Sequence, residues 1–404
     1  MGIKVTDRAS NIEYAIRDVI TYTTQLVQDG KKIYYLNIGD PAAFDFKTPQ
    51  NVKDALCRAV QTDDNCYSPS EGRLDLREAI VRKEKKVNKV DISADKVLIT
   101  EGISEGIQMI LGALVEKGDE ILFPGPTYPP YISYTRFFDG APVSYETIEE
   151  ECWHPNIDDL RSKITKKTRA IVIINPNNPT GSVYDRKMIK EILDIAGEHD
   201  LPVVSDEIYD QLTYEKEFVS AAHISKDIPV IGLNGFSKVY SMTGMRLGYM
   251  YFKGKGKQLD RLKEVVEKEC RIRICANTPV QIAATAALNG PQDCVKDIVD
   301  RLRQRRDFSW KRLNEIEGLS TTKPEGAFYI FPKIQGIGTQ WKNDMDFVVH
   351  LLKETGVLIV NGSGFDPVYG KGHARIVFLP PIEELDAAYN ALEDFMRKSK
   401  SKKP

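Results

Sequence analysis

Six short apolar runs set the fold of this chain. They are Val97-Leu98-Ile99-Thr100, Glu120-Ile121-Leu122-Phe123, Pro142-Val143-Ser144-Tyr145, Ala170-Ile171-Val172-Ile173-Ile174, Pro202-Val203-Val204-Ser205 and Val230-Ile231-Gly232-Leu233. Most are nearly continuous in apolar residues rather than alternating, and amphipathic stretches such as 185–198 separate them. Strands buried on both faces of a mainly parallel sheet have this character. The predicted class is therefore α/β, with a mainly parallel sheet sandwiched by helices. Ligands on such sheets bind at the loops that follow the strands' carboxyl ends. Asn175, Asp206 and Phe236 each stand just after one of the runs, so their segments should converge on one rim.

At 404 residues the chain exceeds what one core normally serves. From about Pro291 the pattern changes to a charged helix over roughly 292–316, a strand at Ala327–Phe331, a helix near 344–355, and strands at Val357–Val360 and Ala374–Phe378. This reads as a smaller α+β domain over 291–404, joined by the N-terminal segment 1–48, beside a large domain over 49–290. A net charge of −2 offers no broad attraction to nucleic acid or an acidic membrane. The six cysteines show no C-x-x-C spacing, so no metal site is expected, and scattered thiols suit a reducing compartment. Met1–Arg8 holds no apolar signal core and no apolar run reaches membrane-spanning length. A cytoplasmic protein is expected, with the lysine-rich end from Lys398 to Pro404 as a frayed tail.

The chemistry gathers on the predicted rim. Lys238 lies in Gly235-Phe236-Ser237-Lys238, with Met245-Arg246-Leu247-Gly248-Tyr249 downstream. Ser205-Asp206-Glu207-Ile208-Tyr209 and Asn175-Pro176-Asn177-Asn178-Pro179-Thr180-Gly181 lie upstream. An amine, an acid, a phenol, an amide and a guanidinium are the groups that a pyridoxal 5′-phosphate (PLP) site requires. Lys238 is the candidate for the Schiff base and the later proton carrier. Asp206 would pair with the pyridine nitrogen and keep it positive, although a helix N-cap is a competing reading. Tyr209 and Asn178 would donate to the ring oxygen, and the Asn178 segment is also a turn by composition. Ser237 and Arg246 would hold the phosphate, with amides of Ile103, Ser104 and Glu105 at a helix start. Tyr128 would stack on the cofactor or lie in the core. Arg375, in an apolar strand, would grip a substrate carboxylate through two parallel bonds or form a structural ion pair.

Together these motifs resemble the class I/II aminotransferases, the PLP-dependent fold type I family, over nearly the whole chain. Asn37-Ile38-Gly39-Asp40-Pro41 is similar to the family's substrate-side N-terminal strand, which implies a substrate contact at Gly39. Tyr67, with Glu71-Gly72 and Arg77 after it, resembles the segment whose tyrosine reaches the neighbouring subunit's phosphate. Asn361–Phe365 and Arg375 resemble the C-terminal pair of motifs, the first preceding and the second carrying the carboxylate-binding arginine. The resemblance implies a homodimer and a ping-pong exchange between an L-amino acid and a 2-oxo acid. Gly125–Tyr131, Asn234–Tyr240 and Thr321–Lys333 are most similar to the archaeal-type alanine aminotransferases, which makes alanine and 2-oxoglutarate the expected pair. Gly235 departs from the serine many members carry three residues before the lysine, so Ser237, Arg246 and Tyr67 would bear more of the phosphate.

The same scaffold serves aspartate and aromatic aminotransferases, C–S lyases and non-enzymatic PLP-domain regulators. The last usually append a DNA-binding domain, and no basic helix-turn-helix pattern precedes residue 40. The run Arg301-Leu302-Arg303-Gln304-Arg305-Arg306 reads as a solvated face or a set of ion pairs. No strand leads into G-x-G-x-x-G, which removes a dinucleotide enzyme.

Overall fold

The computed structural model describes residues 3–10, 12 and 14–401. Met1-Gly2, and Lys402–Pro404 of the expected tail, lie outside the described residues. Strand β1 is Tyr34–Tyr35. One large sheet is built from β2 (Val97–Thr100), β3 (Glu120–Gly125), β4 (Ala141–Ile148), β5 (His154–Pro155), β6 (Thr168–Ile174), β7 (Val203–Asp206), β8 (Val230–Gly235) and β9 (Gly248–Lys253). Its order is β2-β9-β8-β7-β6-β3-β4-β5. Only β9 and the short edge strand β5 run against the rest.

The continuous apolar runs are explained by cover on both faces. On one side the helix Ile103–Leu114 buries Ile107, Ile110 and Leu111 against residues such as Phe123, Val172 and Leu233. On the other, Arg186–Glu198 buries Ile189, Ile192, Leu193 and Ala196 in helical spacing. Asp185 caps that helix by accepting from the Met188 amide at 2.8 Å. Pairing Ile174 with Asp206, and Asp206 with Leu233, sets the ends of β6, β7 and β8 level. That register brings the three motif-bearing loops together.

The remaining strands are β10 (Leu319–Ser320), β11 (Tyr329–Ile330), β12 (Lys333–Ile334), β13 (Val357–Leu358), β14 (Val360–Asn361) and β15 (Ala374–Val377). They form the sets β11-β15-β14, β10-β12 and β1-β13. Tyr34 pairs with Val357, so the early chain joins the late chain directly. The basic run on the helix Asp293–Glu315 turns partly inward. Arg305 meets Asp45 at 2.6 Å, and the buried Arg306 meets both Glu215 oxygens at 2.6 Å. These are ion pairs between distant segments, not an exposed basic face.

Four expectations are corrected. Residues 37–41 do not form a strand: Pro41–Ala43 is a 3₁₀ turn capped by the Asp40 side chain, and the Asn37 and Gly39 carbonyls accept from Arg375 and Lys238 instead of a neighbouring strand. The strand expected over 327–331 shrinks to Tyr329–Ile330, because Ala327 takes a left-handed φ of 55°. The run 357–360 is split, with β13 pairing β1 and β14 pairing β15. Lys398 to Ser401 continue the helix Ile382–Ser401 rather than fraying.

Candidate active site

A cavity of about 450 Å³ opens beside the carboxyl ends of β6, β7 and β8. Of the single residues given a cofactor or substrate role in the sequence, all line it except Glu105 and Tyr67, and the segment Asn361–Phe365 does not reach it. Lys238 lies in the loop after β8, and its Nζ donates to the Gly39 carbonyl at 2.7 Å. A Cβ at Gly39 would stand 2.3 Å from the Tyr329 hydroxyl, so glycine lets that ring close against the same stretch of backbone. Burial lowers the Lys238 pKa to about 8, and the charges of Arg375 and Arg246 push the same way, against Asp40 and Asp206.

Asp206 ends β7 and is buried. Its carboxylate accepts from the Tyr131 hydroxyl at 3.1 Å and the Ile208 amide at 3.3 Å, and it makes no ion pair among the described residues. Burial raises its pKa to about 6, while those two donors and the Lys238 charge pull it down. The residues after it form a turn, not a helix, which disposes of the N-cap reading. Tyr209, in that turn, shares a hydrogen bond of 2.6 Å with Tyr329.

Asn178 is both turn and site residue. Asn177 closes the turn by accepting from Thr180 N–H and O–H at 3.2 and 2.9 Å, and the Asn178 carbonyl oxygen accepts from Arg375 at 3.0 Å. The Asn178 NH₂ is thereby left to serve a ligand. Arg375 in β15 is 1% exposed, and its guanidinium lies between the rings of Tyr329 and Phe365 at 4.6 and 4.8 Å. Its other terminal nitrogen donates to Asn37 O, and its Nε has no partner. No carboxylate pairs with it among the described residues, so the alternative of a structural ion pair fails. Burying such a charge is costly until an anion arrives.

The far wall is a ready anion site. Gly102 precedes the helix Ile103–Leu114 and supplies no side-chain cap, which leaves the first amides without intrahelical acceptors. The Arg246 guanidinium packs over Gly102 so closely that a Cβ would stand 2.4 Å from it, and Ser237 lies on the same cavity. The Glu105 carboxylate turns away to Arg273 at 2.7 Å. Tyr128 lines the cavity with its hydroxyl 3.3 Å from that of Tyr14, and Tyr67 stands 81% exposed away from it.

Sequence reading missed Tyr14, Arg17, Asp40, Tyr131, Thr243 and Tyr329 as cavity or contact residues. Tyr131 lies three residues after Tyr128 on the helix Pro129–Phe137, a helical spacing that hints at a shared face. For Tyr14, Arg17 and Tyr329 no local signal exists.

The donor set fits PLP. The buried acid suits its ring nitrogen, the uncapped helix start with Arg246 and Ser237 suits its phosphate, and the Lys238 amine faces the same space. A lysine with a pKa near 8 makes a test. PLP uptake by the apoprotein should quicken about tenfold per pH unit up to roughly pH 8 and then level off, as the neutral amine fraction rises. Stopped-flow absorbance would measure it, and a rate flat from pH 6 to 8 would reject a reacting Lys238.

A mainly parallel sheet that presents a lysine, a buried acid and an anion site at its strand ends defines a PLP-dependent enzyme that handles amino groups. The family model described as aminotransferase class I and II matches residues 31–392, and the chain belongs to that family. It is 36% identical to the glutamate-pyruvate aminotransferase AlaA of Escherichia coli K12, over 98% of each chain. It is likewise 36% identical to the alanine aminotransferase of Mycobacterium tuberculosis H37Rv, over 96% of this chain and 91% of that one. A solved alanine aminotransferase from Pyrococcus furiosus superposes with a TM-score of 0.95 at 53% identity, covering 98% of this chain and all of that one.

Proposed function

We propose that this aminotransferase exchanges the amino group between alanine and 2-oxoglutarate. The observation that carries the reading is that, beside Arg246 at the phosphate wall, the cavity holds two more guanidiniums, Arg375 in its wall and the exposed Arg17 at its mouth, neither with a carboxylate partner among the described residues. Arg375 takes the α-carboxylate that every substrate shares. Arg17 takes the second carboxylate of 2-oxoglutarate or glutamate and stays idle when alanine is bound. The relatives named for alanine, or for glutamate and pyruvate, support the same pair.

PLP, when bound, supplies the electron sink that stabilises negative charge at the substrate Cα. Asp206 keeps the ring nitrogen protonated, and Tyr209 and Asn178 hold the ring oxygen. Ser237, Arg246 and the Ile103–Glu105 amides hold the phosphate, Tyr128 covers the ring, and Gly39 leaves room beside the substrate. Lys238 would hold the cofactor through its Nζ, and the same amine would carry the substrate's Cα proton. Residues 49–290 form the PLP-binding domain, and 1–48 with 291–404 form the smaller one, a division supported by the pairing of Tyr34 with Val357.

The active form is a homodimer in which Tyr67 reaches the other site. Tyr67 and Ile272 are large side chains more than four-fifths exposed, and Ile274 holds a left-handed φ of 81° that β-branched residues avoid, as expected of a face shaped for a second copy. Six free thiols support a cytoplasmic setting, and no helix among the described residues is long and apolar enough to cross a membrane.

Visible absorbance tests the exchange. Alanine should bleach the PLP band of the purified protein and 2-oxoglutarate should restore it. A band that ignores alanine and answers to aspartate or an aromatic amino acid rejects the pair. Arg17→Ala should raise KM for 2-oxoglutarate about tenfold and leave alanine's unchanged, the scale of one charged hydrogen bond. An equal rise for both would reject the assignment of Arg17.

A further inference from the structure

Behind the cavity lies a buried ionic cluster that the reaction described above does not use. Lys83 ends the helix Leu74–Lys83, and the chain continues through a π-helical turn, Glu84–Asn88, before leaving the helix. Such turns are rare and recur at functional sites. This one aims Lys83, Glu84 and Asn88 inward together. The Lys83 Nζ donates to Asp210, to Glu84 at 2.8 Å and to the Tyr249 hydroxyl at 3.3 Å. Asn88 donates to Glu84 at 2.7 Å and Asp210 at 2.8 Å. Asn234 donates to Asp210 at 2.9 Å, and Tyr249 donates to Glu84 at 2.5 Å.

The members from outside the segment Lys83–Asn88 come from segments that carry site residues. Asp210 is the neighbour of Tyr209. Asn234 lies in β8, four residues before Lys238. Tyr249 lies in β9, three residues after Arg246. A buried ion cluster is a poor way to gain stability, because desolvation of its charges offsets their attraction, and apolar residues of the same volume commonly do as well. Its distinctive property is that it accepts one arrangement of its partners.

We propose that Lys83 is a positioning residue, locking the segments that carry Tyr209, Lys238 and Arg246 into one mutual register through Asp210, Asn234, Glu84 and Tyr249. The proposal rests on the roles given above to Lys238 and Tyr209. Loss of the lysine leaves the buried Glu84 and Asp210 carboxylates facing each other, so the Tyr209–Asp210 turn, with the β8 exit that Asn234 ties to it, parts from Glu84 and Tyr249, and the phenol and amine move relative to the bound ring.

The test uses the holoenzyme and reads the pH at which its visible PLP band changes, together with kcat and KM. In Lys83→Met the band transition should move upward by about one pH unit, since Tyr209 no longer favours the deprotonated form as strongly. At the same time kcat should fall about 10- to 100-fold, with a smaller change in KM for alanine. Lys83→Arg should recover most of both. Tyr249→Phe removes one hydroxyl from the cluster and should shift the transition in the same direction by less. It decides the matter if Lys83→Met does not fold. Unchanged band transitions in the folded variants would overturn the positioning role, as would a fall in melting temperature with kcat and the band intact. A wild-type protein whose band does not respond to pH or alanine would instead overturn the reading of Lys238, and this proposal with it.

Discussion

Lys238→Ala is expected to lose the PLP absorption band that responds to pH and alanine, and to lose kcat by on the order of 10⁴-fold, the upper range for removing a positioned proton carrier. The amine has two duties, and no neighbour can assume either. Among the described residues it is the one lysine on the cavity. Its environment is tuned for the task, since burial brings its pKa to about 8, close enough to neutrality for both protonation states to be reached. The hydrogen bond to the Gly39 carbonyl gives the amine a resting place when it is not engaged. Absorbance spectra and single-turnover kinetics on purified protein would check both losses. A variant that keeps the responsive band would show that another group forms the bond, and a retained kcat would remove Lys238 from proton transfer.

Arg375→Ala should lower kcat/KM for alanine and for 2-oxoglutarate alike, by about 10²- to 10³-fold, which corresponds to the roughly 2–5 kcal/mol lost when one partner of a buried charged pair is truncated. The argument is geometric. The guanidinium lies over the rings of Tyr329 and Phe365, and Asn178 and Asn37 anchor its two terminal nitrogens. Side-chain entropy is therefore spent before substrate binds. Arg375→Lys keeps the charge but loses the fork, and should recover only a minor part. The free protein should tolerate the alanine change well, because a buried charge without an anion is removed. Steady-state kinetics with each substrate varied in turn gives the answer. An effect confined to one substrate would break the shared role of Arg375.

What the sequence made legible follows from where each signal resides. Ala170–Ile174 announces a doubly covered strand because burial on two faces removes polar residues from both, and the structure places it in the middle of the sheet. Asp206 and Asn178 were readable because they follow such strands, where register alone decides what meets at the rim. β9 is not among the strands expected from the sequence, since its first residues, Gly248 and Tyr249, close the Arg246 motif and hide where the strand begins. Residues 37–41 misled for the opposite reason. Their carbonyls are claimed by side chains from residues 238 and 375, and no local pattern encodes an acceptor for a distant donor. Tyr14, Arg17 and Tyr329 reach the cavity through the packing of the chain's two ends, which only the assembled fold displays.

That dependence on both ends bears on how the enzyme is made. As the chain leaves the ribosome, the strands of the large sheet are all present once β9 has emerged, and Lys238 with them. Arg375 is still to come, and the Asn37 carbonyl that anchors it has no donor. A nascent chain at that stage holds the amine, the phosphate cradle and Arg17, yet it lacks the guanidinium that grips the α-carboxylate every substrate shares. The one contact common to both half-reactions therefore arrives last, with the final stretch of translation.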